Sequence, residues 1–422
     1  MSNVLAVLLA VFVVLLVLGV PLYCSIGLAS IMALLANGKL PLTIVPQRIY
    51  GSIDSFTLLA VPFFILVGDL MLQGGISDRL IKFAKALLGW TKGGMAYVTI
   101  AASALFGAIS GSALATTSAI GGLMYPEMLK DKYPKELASA IGAVGGTLGI
   151  LIPPSIAFIV YGTTVGASIG DLFLYGGIAG VVFALLYMFA SKLELTVCKV
   201  DTPLQPFPTA KEVLVAFRDA IWSLLAPAII LGGIYSGVFT ASEAAVVAAV
   251  YSLFVGMFVF KELTWKKVLD ILYNSAVSSG PILLLIGVAN GFSWIMTKEN
   301  VANMLKNLVT SHGINAFSFL MIVNIVFLIL GMLMETMPII ILTCPIFFPI
   351  AASLGIGAVH FGVITVCNLA FGLFTPPYGT CLFMASSYSK VPVLSMVKSC
   401  RFFYLFGVLG LLIITYAPLF IK

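Results

Sequence analysis

The stretch GAVGGTLGILIPPSI, residues 142–156, places four glycines and the adjacent prolines Pro153 and Pro154 inside an apolar run. Each proline removes a backbone hydrogen-bond donor, and Pro154 also disfavours helical geometry at Pro153. A helix therefore has to break here. In a membrane, a broken helix is tolerated where protein or a water-filled cavity satisfies the freed carbonyls, so this stretch is a candidate ion or substrate site.

The same break recurs in the second half of the chain. Gly372, Pro376 and Pro377 repeat the spacing of the first Gly and Pro-Pro at one constant offset, without a gap. The offset also aligns four other pairs, namely Tyr50 with Tyr273, Gly68 with Gly291, Pro126 with Pro349 and Ile141 with Ile364. The shared order of a lone Pro, a Gly and then Pro-Pro indicates two internal repeats.

Composition places the chain in a membrane. Of the 422 residues, 61% are hydrophobic and 9% are charged, which no soluble core of this length could hide from water. Apolar runs of roughly 16 to 25 residues recur, close to the ~20 that span a bilayer as a helix. Since strand-like alternation is absent, the sequence predicts an all-α polytopic membrane protein. The net charge of +6 is typical of basic cytoplasmic loops and requires no nucleic acid.

The first predicted repeat covers residues 1–191 and begins with scaffold helices. Ile76–Trp90 separates basic from apolar residues on its two faces, which predicts an arm on the membrane surface. Residues 93–129 have lysines beyond both ends, which predicts a re-entrant hairpin with its tip at Ser110–Ser112. The broken helix, residues 136–165, follows.

Residues 192–219 contain three prolines and form the predicted cytoplasmic linker, and residues 220–422 form the second repeat. An arm, a hairpin and a broken helix are expected there in the same order, at Glu299–Ser311, at residues 316–351 with a tip near Met334–Thr336, and at residues 362–386. Two stretches are expected to lie outside the spans: the polar connection Pro41–Ser55, and a surface segment Trp265–Asn274 that precedes a span at Ser279–Met296.

Charge supports an inverted arrangement of the repeats. With the first hairpin entering from the cytoplasm, ten full spans place 17 of the 22 Lys and Arg inside and five outside. Four spans then lie between the two broken helices, which therefore run in opposite directions. Inverted repeats with broken helices and paired hairpins are typical of alternating-access secondary transporters.

Three groups of residues carry a family resemblance: Ser110–Ser112 with Ala115–Ser118, Gly149–Ser155, and Gly372–Pro377 with Gly379. In their hairpin and broken-helix context they resemble the large membrane subunit of tripartite ATP-independent periplasmic (TRAP) transporters. The likeness covers nearly the whole chain. Its motifs point to the family and leave the substrate open.

The resemblance implies a sodium-driven importer of carboxylate-bearing solutes, such as C4-dicarboxylates, sialic acid or other sugar acids, in the bacterial cell inner membrane. It implies two partners besides membrane lipids: a small four-helix membrane subunit, and a periplasmic binding protein that delivers the substrate. It also implies the elevator mechanism of the ion-transporter superfamily, in which hairpins and broken helices move against a scaffold. Na⁺ is then the coupling ion, and no other cofactor is expected.

Na⁺ is a hard cation, and unwound backbone carbonyls with Ser or Thr hydroxyls provide the oxygens it takes. Two oxygen cages are expected, each between a hairpin tip and a helix break. The first would comprise Ser110, Gly111, Ser112, Gly149, Ile152 and Ser155. The second would comprise Gly331, Glu335, Thr336, Gly372, Thr375 and Tyr378. Helix ends at the breaks favour a substrate carboxylate, and the expected substrate-binding residues are Thr116, Pro153, Pro154, Pro376 and Pro377.

Structural explanations remain open for several of these residues. Glu335, a costly carboxylate near mid-membrane, could instead cap an exposed helix end. The hydroxyls of Ser110–Ser118 could bond back to their own helical turn. Asp69 could lie on an ion path or bind a neighbouring helix. Glu243 follows Thr240 by three residues, which favours a capping box over a proton carrier.

Other function classes are weighed against the importer. The closest alternative is a one-component sodium-coupled symporter or antiporter of the same superfamily. An intramembrane enzyme is disfavoured because no metal-ligand cluster, paired catalytic carboxylates or Ser-His-Asp set occurs at a plausible spacing. A substrate-free assembly subunit would leave both cages without a purpose.

Overall fold

The computed structural model describes residues 3–204 and 206–420, and regular structure in these residues is helical. The helices of the first half are α1 (Asn3–Val17), α2 (Leu22–Asn37), α3 (Ile44–Ile53), α4 (Ala60–Gln73), α5 (Ile76–Leu88), α6 (Gly94–Ser110), α7 (Ala113–Thr116), α8 (Gly122–Lys130), α9 (Lys135–Leu151), α10 (Ile156–Val165) and α11 (Ile169–Val197). A 3₁₀ turn, Phe56–Leu59, leads into α4, and a π-helical turn, Thr117–Gly121, joins α7 to α8.

The second half is helical as well. Its helices are α12 (Ala210–Tyr235), α13 (Ala241–Phe254), α14 (Trp265–Lys298), α15 (Val301–Ser311), α16 (Ala316–Leu333), α17 (Thr336–Ser353), α18 (Ala358–Gly372), α19 (Thr380–Ser389), α20 (Val393–Val397) and α21 (Arg401–Phe420). A π-helical turn, Val255–Val259, extends α13, and a 3₁₀ turn, Lys398–Cys400, precedes α21.

Length and composition confirm an all-helical, multi-pass membrane protein. Within residues 3–204 and 206–420, eight helical segments are long and apolar enough to cross a membrane, or nine if the bent pair α9 and α10 counts as one span. The expected first two spans correspond to α1 and α2, which have 15 and 16 residues. Both are shorter than the ~20 residues of a typical span.

The first hairpin consists of α6 running to its tip and α7 and α8 running back. Its two open ends are close together, because the Ala96 amide near the start of α6 donates a 3.3 Å hydrogen bond to the Tyr133 hydroxyl just beyond α8. The first broken helix follows as α9 and α10, bent by 40°. In the second half, α16 and α17 form the hairpin, and residues 373–379 separate α18 from α19.

Two of the stretches expected outside the spans contain helix in the structure. The expected connection Pro41–Ser55 contains α3, whose Ile49 and Ile53 pack against Gly287 of α14. The expected surface segment Trp265–Asn274 is not separate from the following span, because α14 is continuous from Trp265 to Lys298. Residues 275–278 contain neither Gly nor Pro, so nothing ends the helix there.

The expected linker, residues 192–219, is mostly helical. Helix α11 continues to Val197, and α12 begins at Ala210, and the described residues between them, 198–204 and 206–209, are not helical. A capping box starts α12, since Thr209 and Glu212 exchange side-chain and backbone hydrogen bonds. A second capping box, between Thr240 and Glu243 at the start of α13, confirms the capping interpretation of Glu243.

Candidate ion and substrate site

The first hairpin reverses direction at its predicted tip. Gly111 has a φ of 61°, a left-handed conformation that glycine adopts readily. Ser112 then caps α7, and its hydroxyl accepts a hydrogen bond from the Ala115 amide at 3.3 Å. The hydroxyl oxygens of Ser110 and Thr116 lie 3.0 Å apart, and Thr116 donates to the Ser112 carbonyl at 2.8 Å. The tip therefore gathers hydroxyl and carbonyl oxygens in a small volume.

This tip packs directly against the first helix break. A Cβ placed on Gly111 would lie 2.7 Å from the carbonyl oxygen of Pro154. A Cβ on Gly149 would lie 2.5 Å from the carbonyl oxygen of Ser112. The Ile156 amide also donates to the Gly111 carbonyl at 3.4 Å. Backbone therefore meets backbone, and the tip and the break form one packed unit.

At the first break, the side chains of two predicted residues face away from this unit, and the hydroxyl of a third already makes a hydrogen bond. The Ser155 hydroxyl donates to the Ile150 carbonyl at 2.6 Å. The side chains of Ile152 and Pro153 face α11, at 2.5 and 3.4 Å from Cβ positions built on its glycines. Ile152 and Pro153 can therefore offer an ion only backbone oxygens, whereas Ser155 keeps the lone pairs of its hydroxyl as well.

The second hairpin turns at Met334 and Glu335. Glu335 occupies the N-cap position of α17, yet its side chain accepts no hydrogen bond from the amides of that helix. The adjacent Thr336 is 5% exposed, and its hydroxyl has no hydrogen-bond partner among the described residues. A carboxylate and an unpartnered hydroxyl are therefore adjacent at this tip, and a capping hydrogen bond does not account for Glu335.

The second tip packs on the second break as the first tip does on the first. A Cβ on Gly372 would lie 2.6 Å from the carbonyl carbon of Gly331. The Tyr378 amide donates to the Met332 carbonyl at 3.1 Å. This hydrogen bond ties the segment after the Pro-Pro to the end of α16.

The remaining predicted residues of the second break are bonded locally or turned outward. The Thr375 hydroxyl donates to the Phe371 carbonyl at 2.7 Å, which leaves its oxygen lone pairs available. Pro376 is half-buried and Pro377 is exposed. The Tyr378 ring is 51% exposed and packs beside the Phe383 ring.

One cavity of about 550 Å³ lies between the two hairpin tips. Five of the predicted cage residues line it, namely Ser110, Gly111, Ser112, Glu335 and Thr336. The other walls come from α4, from α14 and from the edges of both breaks. Residues from the two halves of the chain thus meet around one space.

The other predicted site residues lie behind this wall. They are not among the described residues that line the cavity: Gly149, Ile152, Ser155, Gly331, Gly372, Thr375 and Tyr378 of the cages, and Thr116, Pro153, Pro154, Pro376 and Pro377 of the expected substrate site. Their neighbours, including Ile150, Ile156, Leu373 and Thr380, form the surface instead.

Sequence reasoning missed Thr380 and left Asp69 undecided. Thr380 is the first residue of α19 and lines the cavity, and its buried hydroxyl has no partner among the described residues. Its place directly after Gly379, at the restart of the broken helix, was the available signal. Asp69 of α4 also lines the cavity and accepts a 2.6 Å hydrogen bond from Ser275 of α14.

The cavity wall is mostly apolar, and the charged side chains in it are acidic. Its charged side chains in the described chain are the carboxylates of Asp69 and Glu335, with no Lys, Arg or His beside them. Carboxylates, hydroxyls and carbonyls are ligands for hard cations. A bound cation would gain from this negative charge, and an anionic solute would need such a cation to offset it.

Comparisons with known proteins agree with this transporter architecture. The family profile described as "Tripartite ATP-independent periplasmic transporter, DctM component" matches residues 9–420. The C4-dicarboxylate TRAP transporter large permease protein DctM of Pseudomonas aeruginosa is 38% identical over 394 residues, covering 93% of this chain and 92% of that protein. The isethionate TRAP transporter permease protein DctMQ of Oleidesulfovibrio alaskensis is 38% identical over 419 residues, covering 98% of this chain and 65% of that protein.

A solved structure shares the fold. The YdaH transporter of Alcanivorax borkumensis superposes with a TM-score of 0.63 at 14% identity, covering 90% of this chain and 88% of that one. At this identity the likeness concerns the fold alone.

Proposed function

Because the chain belongs to the DctM family, the large permeases of tripartite ATP-independent periplasmic transporters, we propose that it couples inward Na⁺ movement to import of a carboxylate-bearing solute. The solute classes that fit are C4-dicarboxylates, sialic acid and other sugar acids. The chain itself is a secondary transporter subunit and not an enzyme.

The observation that carries this proposal is the shared cavity between the two hairpin tips. Glu335, Thr336 and Thr380 bring a carboxylate and two unpartnered hydroxyls to its wall. An unpartnered buried hydroxyl is costly, and a bound cation would satisfy it. Since the wall holds no cationic side chain among the described residues, Na⁺ would offset the charge of a solute carboxylate.

Ser110, Gly111 and Ser112 contribute the second set of oxygens, from the first tip. We propose one Na⁺ site at each tip, completed by backbone carbonyls of the adjacent break. In this proposal Gly149, Ile152 and Ser155 support the first site, and Gly331, Gly372, Thr375 and Tyr378 support the second. The Pro-Pro segments and Thr116 shape the site from behind the cavity wall.

The proposal includes two partners and a moving domain. A small four-helix membrane subunit and a periplasmic binding protein complete the importer in the inner membrane. The two hairpins and the two broken helices form the mobile part of an elevator. Its two halves, residues 1–191 and 220–422, are related as inverted repeats.

Solute uptake into proteoliposomes tests the proposal. The vesicles contain this chain with its small membrane partner, and uptake of a C4-dicarboxylate and of sialic acid is measured with and without an inward Na⁺ gradient. Each condition is repeated with and without the binding protein. Uptake that requires both the gradient and the binding protein is expected.

Two outcomes would contradict parts of the proposal. Na⁺-driven uptake without the binding protein would identify a one-component symporter. Uptake that is the same with and without the Na⁺ gradient would exclude sodium coupling. Vesicles without the chain provide the background in each condition.

A further inference from the structure

A basic cavity of about 410 Å³ lies where the turn before the first hairpin meets the segment that joins the two halves. Lys92, Lys192 and Lys199 line it together with Asp201. Lys92 lies 3.7 Å from Asp201, and both side chains are largely exposed. Lys192 and Lys199 have no carboxylate within ion-pair distance in the described part of the chain. The lining therefore carries an excess of two positive charges.

A buried hydrogen bond holds together the segments at the bottom of this cavity. The Gly93 amide, at the start of α6, donates a 2.9 Å hydrogen bond to the hydroxyl of Thr202, which is 6% exposed. Leu195 of α11 closes the space behind them. The lysines are thus held around one pocket by three segments: the turn before α6, the end of α11, and residues 198–202.

An apolar groove of about 660 Å³ lies beside the basic cavity. It runs between α5 and the start of α12, and Leu87, Trp90, Phe207 and Leu214 are among its walls. The Trp90 and Phe207 rings meet at 4.8 Å, yet Phe207 remains 72% exposed and Leu214 66% exposed. On a membrane protein, exposed apolar side chains such as these face lipid hydrocarbon, and the groove gives acyl chains a defined place to lie.

The two spaces are continuous along the chain on both sides. Trp90 lines the groove, and Lys92, two residues later, lines the basic cavity. On the facing side, residues 199–202 line the cavity, and Phe207 and Pro208 line the groove. Tryptophan next to lysine is typical of the membrane interface, where the ring lies at headgroup depth and the cation faces the phosphates.

We propose that this surface binds one anionic phospholipid, with its phosphate among Lys92, Lys192 and Lys199 and its acyl chains in the groove. The charge complements the phosphate, and the apolar groove calls for a ligand that carries hydrocarbon chains and the phosphate in one molecule, as a phospholipid does through its glycerol. A free phosphate ion would satisfy only the cavity. The inference does not depend on which solute is transported.

Such a lipid would link two connecting segments. It joins the turn between α5 and α6 to the segment between α11 and α12. This turn is the entry to the first hairpin, so the bound lipid would stabilise one position of the hairpin relative to the arm α5.

Lipid binding to the purified, delipidated chain tests the proposal. Native mass spectrometry or microscale thermophoresis would measure the affinity for phosphatidylglycerol, for phosphatidylcholine and for inorganic phosphate. Phosphatidylglycerol is expected to bind tightest. Each lysine near an anionic surface is worth about a fivefold change in affinity, so Lys192→Gln with Lys199→Gln should weaken phosphatidylglycerol binding roughly 30-fold.

A matched control replaces two exposed lysines outside the cavity, Lys135→Gln with Lys266→Gln, and should leave the affinity unchanged. Phe207→Ser should weaken phosphatidylglycerol binding without altering the binding of inorganic phosphate. Melting temperatures close to that of the unmodified chain would show that the variants are folded.

Three results would overturn the proposal. The first is equal affinity for phosphatidylcholine and phosphatidylglycerol, and the second is full phosphatidylglycerol binding by the double lysine variant. The third is binding of inorganic phosphate that is as tight as binding of the lipid and that is lost in the double lysine variant. This result would identify a soluble anion as the ligand.

Discussion

Gly331 and Gly372 meet backbone to backbone, and a Cβ on Gly372 would lie 2.6 Å from the carbonyl carbon of Gly331. The first half contains the same contact, since a Cβ on Gly107 would lie 2.8 Å from the Cα of Gly149. In each half, this contact holds the hairpin against the helix break. No flexible side chain is available to yield, so an added methyl group would have to separate two backbones.

Gly372→Ala should therefore destabilise the protein. Overpacking of a filled interior costs about 1–3 kcal/mol, and the backbone contact leaves no easy relaxation. We expect a lower melting temperature in detergent. Gly291→Ala is the matched control, because Gly291 lies in α14 with nothing within 4 Å of an added Cβ. Equal melting temperatures for both variants would mean that the two backbones can move apart at little cost.

The order of hairpins and breaks was predictable because proline and glycine act on their own backbone. The adjacent pair Pro153 and Pro154 interrupts a helix and Gly111 ends one, whereas single prolines such as Pro281 lie inside helices. The lining of the cavity was not predictable in this way. Thr380 reaches the cavity, and the predicted Thr375 does not, because the path of residues 373–379 depends on packing against α16.

Local sequence patterns also could not predict contacts between residues that are far apart in the sequence. Asp69 and Ser275 are bonded across helices that are far apart in sequence, and the two hairpin tips share one cavity. The constant offset between the two Pro-Pro motifs predicts that the tips correspond. It contained no information on the α4 and α14 surfaces that complete the cavity.

Glu335→Gln should impair sodium-driven uptake while leaving the fold intact. Because the Glu335 side chain makes no capping hydrogen bond, the substitution removes the negative charge from the cavity wall and changes little else. Losing one hydrogen-bonded or ion-binding charge is worth about 1.5–3 kcal/mol, so the Na⁺ concentration for half-maximal uptake should rise about tenfold or more. Uptake at graded Na⁺ concentrations measures this.

Glu136→Gln is the comparison for Glu335→Gln. Glu335 is the N-cap residue of α17, and Glu136 is likewise a carboxylate at the N-terminal end of a helix, in the first turn of α9, but it is not a cavity residue. Its sodium dependence should match that of the unmodified chain. Full activity of Glu335→Gln would assign Glu335 no part in ion binding.

Thr336→Val should show whether the Thr336 hydroxyl is a Na⁺ ligand. The Thr336 hydroxyl is buried without a partner among the described residues, so its replacement by a methyl group should favour folding. If the hydroxyl binds Na⁺, the variant should melt no lower than the unmodified chain and yet need several-fold more Na⁺ for half-maximal uptake. Thr365→Val provides the contrast, because the Thr365 hydroxyl donates to the Phe361 carbonyl at 2.8 Å. Unaltered sodium dependence in Thr336→Val would exclude its hydroxyl as a ligand.

Asp69→Asn and Ser275→Ala distinguish the two interpretations of Asp69. Asparagine keeps an acceptor for the Ser275 hydroxyl but removes the negative charge, whereas Ser275→Ala removes the 2.6 Å hydrogen bond and keeps the charge. If Asp69 acts on the transported ions, Asp69→Asn should lower uptake at least tenfold and Ser275→Ala should have a smaller effect. The reverse order would assign Asp69 to helix packing between α4 and α14.

Arg401→Gln should be among the most destabilising single charge changes in the described chain, because it leaves Glu194 without its cation. The Glu194 side chain is fully buried, and its oxygens accept hydrogen bonds from the Arg401 guanidinium at 3.2–3.3 Å and from the Phe402 amide at 3.2 Å. Breaking a buried pair from one side costs about 3–5 kcal/mol. Since the Arg401 side chain is 51% exposed and the Phe402 amide remains, the lower end of this range is expected.

The double variant Glu194→Gln with Arg401→Gln removes the unpaired charge and leaves a neutral amide that can still accept from Phe402. Its melting temperature should therefore lie above that of Arg401→Gln alone, although it carries one more substitution. Arg218→Gln, at an exposed position of α12, should not change the melting temperature. If the double variant melts below the single one, Glu194 stabilises the end of α11 without its cation, and an unpaired buried charge does not explain the effect of Arg401→Gln.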